Sequence, residues 1–209
     1  MRTTPILFGA LTAASLLFGS SIAQATFTPT ETVEVIVVTV MDILNDPMYQ
    51  QPRMSDARRA ALETVIRDSV NYHEMARRSL GITWMGLSQP EQEHFSDLFV
   101  QILRDGMACR MNTYSDTQVI YLGERREGDF AEVRTLFRRE KEDTVIDLRL
   151  VNQSGRWLVY DAIIDGVRLV DNYRSQFLHV IKKVAYMGLL SKIEAMTLLK
   201  KTFERTNVP

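Results

Sequence analysis

The side chains able to do acid–base or nucleophilic work are few and scattered. The three histidines, His73, His94 and His179, share no metal-ligand spacing. No G-x-S-x-G elbow and no H-E-x-x-H helix occurs. Asp161 and Asp165 stand four apart in a stretch that reads as a strand, which would point both carboxyls the same way and resemble an acid–base pair. Strand ends are commonly acidic, and arginines abound nearby, so the pair reads equally as structural. Cys109 is the single cysteine, lies in Met107-Ala-Cys-Arg-Met111 with no histidine at hand, and reads as a buried structural thiol. One cysteine permits no intramolecular disulfide. These residues assemble no catalytic constellation, and the expectation is a protein that is not an enzyme and needs no metal or cofactor.

The amino terminus points to export. Arg2 precedes a largely apolar run of 13 residues, Ile6–Phe18, followed by small residues at Ser21-Ile22-Ala23 and Ala23-Gln24-Ala25. That is the layout of a secretory signal peptide, and the run is shorter than the roughly 20 residues that cross a bilayer. Residues 1–25 are therefore expected to be a signal peptide, and 26–209 one domain without a Gly-, Ser- or Pro-rich linker or internal repeat. With Arg2 removed, 24 Lys and Arg face 26 Asp and Glu. That balance lacks the basic footprint of a nucleic-acid binder.

Hydrophobic periodicity supplies the elements. Val33, Ile36, Val37, Val40, Met41 and Leu44 share a helical face that Asn45-Asp46-Pro47 closes. Ser55 reads as the N-cap of a second helix carrying Leu62, Val65, Ile66 and Val70 inward. His73–Leu80 makes a short third, with Gly81 as its C-cap. Ser88-Gln-Pro-Glu91 has the capping-box arrangement and opens a longer helix with Phe95, Leu98, Phe99, Ile102 and Leu103 on one side, running to about Tyr114. The period then becomes two, predicting four strands at 119–122, 130–138, 145–151 and 157–164. Gly123, Gly128-Asp129, Lys141-Glu142-Asp143 and Gln153-Ser154-Gly155 mark the turns. Short turns imply an antiparallel meander, with Ala131, Val133, Phe137, Ile146, Leu148 and Leu150 on its covered face. Helices at 169–184 and 189–203 close an α+β fold.

The stretch Trp157-Leu-Val-Tyr-Asp-Ala-Ile-Ile-Asp-Gly-Val-Arg-Leu-Val-Asp-Asn-Tyr-Arg-Ser-Gln-Phe177 closely resembles the W-x-V-Y-D-x-x-x-x-G-V-S-L-V-x-N-Y-R-x-Q-F pattern of the MlaC, or toluene-tolerance, family. Leu80-Gly81 with Trp84 resembles that family's L-G-x-x-W segment, and Phe95 with Phe99 its F-x-x-x-F helix. The likeness runs from about Val33 to Leu199. Arg168 departs from it, standing where the family usually has Ser.

The resemblance implies a periplasmic, non-enzymatic carrier of glycerophospholipid in an ABC-type transport system. Such a carrier works as a monomer between an outer-membrane lipoprotein complex and an inner-membrane MCE-domain ABC transporter complex, with phospholipid as cargo rather than cofactor. A hopanoid-associated branch looks similar. An envelope adaptor with a solid core would share every helix and strand. A diacyl lipid carries about 30 methylenes at ~0.8 kcal/mol each, so leaving the membrane unaided would cost on the order of 20 kcal/mol. A carrier therefore needs an apolar pocket, expected here between sheet and helices. Its expected lining is Leu80, Trp84, Phe95, Phe99, Leu103, Val133, Phe137, Ile146, Leu148, Leu150, Val159 (or Leu158), Tyr173 and Phe177, though ordinary core would show the same pattern. Arg174 is expected either to meet a phosphate or to pair with Asp161, Asp165 or Asp171. Trp84 and Trp157 are most simply buried anchors.

Overall fold

A computed structural model describes residues 27–111, 114–140 and 142–206, without the side chains of 105–111 and 200–206. The expected signal peptide and the Cys109 side chain lie outside the described residues.

Among the described residues five α-helical elements accompany one antiparallel sheet. They are α1 (Pro29–Asn45), α2 (Ser55–Ser69), α3 (Tyr72–Leu80), α4 (Gln89–Met111) and α5 (Leu169–Thr206). The strands β1 (Gln118–Glu127), β2 (Phe130–Arg138), β3 (Asp143–Gln153), β4 (Arg156–Ile164) and β5 (Val167–Arg168) lie in sequence order. The meander is thus α+β as expected but has five strands, not four. The fifth is a two-residue return, Ile163 opposite Arg168 and Ile164 opposite Val167, too short to leave a hydrophobic periodicity.

Local chemistry explains most boundaries. Thr28 and Glu31 form a reciprocal capping box at the start of α1, and Asn71 accepts from the Glu74 amide to cap α3. Glu91 reaches back to the Ser88 amide and hydroxyl, 2.8 and 2.6 Å, at the start of α4. Ser55 is not the N-cap of α2. A 3-10 turn over Pro52–Met54 leads into the helix, which makes Ser55 its first residue and Met54 the cap. Gly123 is not a turn either. It sits within β1 at a bulge between Tyr121 and Gly123, where φ of +151° suits a residue without Cβ. α4 is described to Met111, and residues 112–113, within its expected reach to Tyr114, lie outside the described residues. α5 is two helices, as expected, that meet at Ala185, whose φ of 58° and ψ of −179° are not helical.

The sheet's covered face meets α1. Val33 and Val37 pack with Ala131, Val133, Leu150, Trp157 and Val159, and Glu124 of β1 accepts from the amide and hydroxyl of Thr30 to pin the helix to the sheet edge. A second core lies among α3, α4 and α5.

Candidate functional site

The residues expected to share one pocket fall into these two cores. Leu80, Trp84, Phe95, Phe99, Leu103 and Phe177 are all buried in the helical core, with Tyr173 half-buried against it. Spacing on α4 puts Phe95, Phe99, Ile102 and Leu103 on one stripe, but that stripe faces α3 and α5. Phe95 meets Phe177 edge-on at 5.6 Å, and Phe99 meets Tyr173 at 5.3 Å and Phe177 at 6.0 Å. Edge-to-face aromatics at these separations fill space among themselves. Periodicity states that a face is buried and is silent about which neighbour buries it.

The other expected residues lie on the sheet. Val133 and Leu150 are fully enclosed beneath α1, and Val159 nearly so. Phe137 and Leu148 border the same cluster and remain only half-buried. Ile146, also half-buried, sits between Thr135 and Ile164 in register, and its carbonyl accepts from Thr135 Oγ1 at 2.6 Å. Phe137, Ile146 and Leu148 thus continue the covered face past the part that α1 seals. Val70 packs against both cores and bridges to Val159.

The polar groups of the Trp157–Phe177 segment have structural duties. Asp161 is buried and accepts from the amides of Val170 and Ala162 at 3.0 and 2.9 Å, which fastens the start of α5 to β4. Burial pushes its carboxyl above the ordinary range, although these amide bonds pull the other way. Asp165 does not share the strand with Asp161. It lies beyond the end of β4 at a φ of 48° and accepts from the Val145 amide at 3.0 Å. The expected carboxylate pair is therefore two backbone anchors. Arg168 pairs with Asp171 at 3.2 Å on the exposed surface. Arg174 pairs with none of Asp161, Asp165 and Asp171; it is exposed and lies against the backbone of Gly81.

Sequence reasoning missed a charged fork above the sheet's other face. Glu74 receives Arg77 and Arg78, each at 2.7 Å, and Arg78 lies 4.2 Å over the Tyr160 ring and 5.6 Å over Phe130. Burial works against ionisation of Glu74, but the two guanidinium bonds outweigh it and hold the carboxyl below its usual range. The signal was present in Glu74-x-x-Arg77-Arg78, whose i,i+3 and i,i+4 spacing favours such pairs. A groove of about 590 Å³ opens beside Phe130, Glu132, Arg149 and Tyr160. Arg149 pairs there with Glu132 at 2.9 Å, so this groove suits no acyl chain.

The histidines do not converge. His94 pairs with Glu194 at 3.0 Å and His73 packs edge-on to Trp84 at 5.0 Å. Among the described residues no group of His, Cys, Asp and Glu could hold a metal ion, and no helix is long and apolar enough to cross a membrane.

Comparison with known proteins finds likenesses of sequence and of fold. The model of the MlaC protein family matches residues 34–195. The intermembrane phospholipid transport system binding protein MlaC of Haemophilus influenzae is 24% identical over 143 residues, 64% of this chain and 67% of that protein. A phospholipid-binding protein from Ralstonia solanacearum, solved in complex with a phospholipid, has a TM-score of 0.71 at 22% identity, covering 80% of this chain and 96% of that one. At that identity the last likeness is one of fold.

Proposed function

We propose, from the fact that this chain belongs to the MlaC family, that it is a periplasmic carrier that holds a glycerophospholipid by its acyl chains and performs no chemistry on it. The name of the Haemophilus relative, a phospholipid transport binding protein, and the phospholipid held by the Ralstonia protein of the same fold both support this reading. In it the carrier travels as a monomer between an outer-membrane lipoprotein complex and an inner-membrane MCE-domain ABC transporter complex.

The observation that carries the proposal is the incomplete closure of the covered sheet face. Val133, Leu150 and Val159 are sealed under α1, whereas Phe137, Ile146 and Leu148 on the same face keep accessible surface. Interiors are ordinarily packed to crystal-like density, so accessible apolar surface inside a layered fold is where acyl chains would lie. In this reading Phe137, Ile146 and Leu148 touch the tails. Leu80, Trp84, Phe95, Phe99, Leu103, Tyr173 and Phe177 pack instead in the separate core among α3, α4 and α5. Arg174, exposed and without a carboxylate partner among the described residues, is the guanidinium available to a phosphate.

Mass spectrometry tests this directly. The chain is secreted with its own leader, purified from periplasm without detergent, and measured natively and after organic extraction. Stoichiometric glycerophospholipid is expected. A polycyclic lipid would move the protein to the hopanoid-associated branch, and an apo mass that takes up no lipid from vesicles would overturn the carrier and leave an envelope adaptor.

A further inference from the structure

Ile82 and Met85 are 74% and 79% exposed, the highest values among the exposed large hydrophobic side chains of the described residues. Both stand on the 3-10 turn Gly81–Gly86 that joins α3 to α4. In a 3-10 helix residues three apart eclipse one another, so the two side chains leave the turn on one side.

The turn that presents them is firmly held. Trp84, between them in sequence, is buried in the helical core and packed edge-on against His73. Gln92 of α4 donates from Nε2 to the carbonyls of Trp84 and Leu87, at 3.2 Å each. The Gly81 amide closes on the Arg77 carbonyl, and Arg174 lies across the Gly81 backbone. A loosely held loop would turn two such side chains inward. This one is anchored from inside with both facing water, and beside Gly86 there is open space.

The charge at the base of the turn selects what covers it. Arg174 has no carboxylate partner among the described residues. Asp171, one helical turn before it, is taken by Arg168, and Glu74 is shared by Arg77 and Arg78. At the far end Glu91 is folded back onto Ser88. An apolar pair beside an uncompensated guanidinium is the arrangement of an interfacial anchor on an anionic bilayer, where side chains enter the headgroup–acyl boundary and cations meet lipid phosphates.

We propose that the Gly81–Gly86 turn is a membrane-docking tip, with Ile82 and Met85 inserting into an anionic lipid surface and Arg174 contacting its phosphates. Direct contact with the bilayer goes beyond carriage of a lipid, and the tip stands or falls independently of the cargo.

The test is flotation of the full mature chain with two vesicle preparations, one of phosphatidylethanolamine with phosphatidylglycerol and one of pure phosphatidylcholine. Wild-type protein should float with the anionic vesicles, less so at high salt, since exposed charges are screened. The double variant Ile82→Ser with Met85→Ser should bind at least about tenfold more weakly, and Arg174→Gln should lose most of the preference for anionic vesicles. Both variants should keep the wild-type circular dichroism spectrum, and the double variant should keep the wild-type lipid content. Unchanged flotation of the double variant overturns the proposal. So does wild-type protein that stays in solution with every vesicle, which would make the tip a protein-docking surface. Absence of bound lipid in a wild-type protein that still floats would overturn the carrier reading and leave the tip standing.

Discussion

The Arg174 guanidinium lies so close to the backbone of Gly81 that a Cβ at position 81 would stand 2.9 Å from Nη2 and 3.0 Å from Nε. Two segments far apart in the chain, the L-G-x-x-W piece and the N-Y-R piece, are therefore one feature. It is the φ of +58° at Gly81 that chiefly requires glycine, since the guanidinium is the movable end of an exposed side chain.

Gly81→Ala should accordingly destabilise the protein by about 2 kcal/mol, combining backbone strain with displacement of the arginine. Urea denaturation of Gly81→Ala, Arg174→Ala and the double variant separates the two terms. Removing Arg174 should recover the steric part, so the double variant is expected to lose less than the two single losses together. Strict additivity would show that the contact does not matter.

At Ala185 the sign is reversed. The break in α5 places a non-glycine residue at φ 58°, ψ −179°, a region that is nearly glycine-only and costs about 1–3 kcal/mol. Ala185→Gly should therefore raise stability by about 1 kcal/mol, although glycine inside a helix ordinarily lowers it. A lower melting temperature for this variant would show that residue 185 is helical in solution.

Asp161 predicts a dependence on pH. Burial raises its carboxyl above the ordinary value of 3.8 in the folded chain, so the folded state binds its proton more readily than the unfolded state does. As pH falls from the raised folded value toward 3.8, wild-type stability should rise relative to Asp161→Asn, which cannot titrate. Asp161→Ala should cost about 1–3 kcal/mol at every pH, because the Val170 and Ala162 amides lose their acceptor. Parallel wild-type and Asp161→Asn curves between pH 7 and 4 would refute the buried-carboxylate account.

Filling the accessible part of the covered sheet face should displace cargo. Leu148→Trp adds bulk beside Val133, its partner across the β2–β3 ladder, without adding charge. The lipid content of purified protein, read by native mass spectrometry, is expected to fall several-fold while the fold is kept. Val33→Trp, by contrast, adds still more bulk in the sealed α1 core, where overpacking typically costs about 1–3 kcal/mol, and should show as lost stability. Full lipid occupancy in Leu148→Trp would remove Leu148 from the tail contacts.

Much of the molecule was legible from its residues, because the signals involved are local. Alternation identified β2 residue for residue, and capping chemistry placed the start of α4. The same local reading erred where a feature depends on distant parts. Gly123 looks like a turn and is a bulge, since only the register with Thr135 and Arg134 reveals the extra residue. Arg174 looked ready for an aspartate and found a glycine backbone, since all three candidate aspartates were engaged elsewhere, two by backbone amides and one by Arg168.

By itself the sequence determined the helices, four of the five strands, their order, the antiparallel meander and the family, because these follow from hydrophobic period, turn residues and a twenty-one-residue pattern within one stretch of chain. Tertiary structure alone decided the partners of each apolar face. The Phe95–Phe99 stripe turns to α3 and α5, α1 seals Val133 and Leu150, and Phe137, Ile146 and Leu148 stay partly open. A hydrophobic period records that a face leaves water. The surface that receives it depends on how the layers stack, and that is a property of the whole chain.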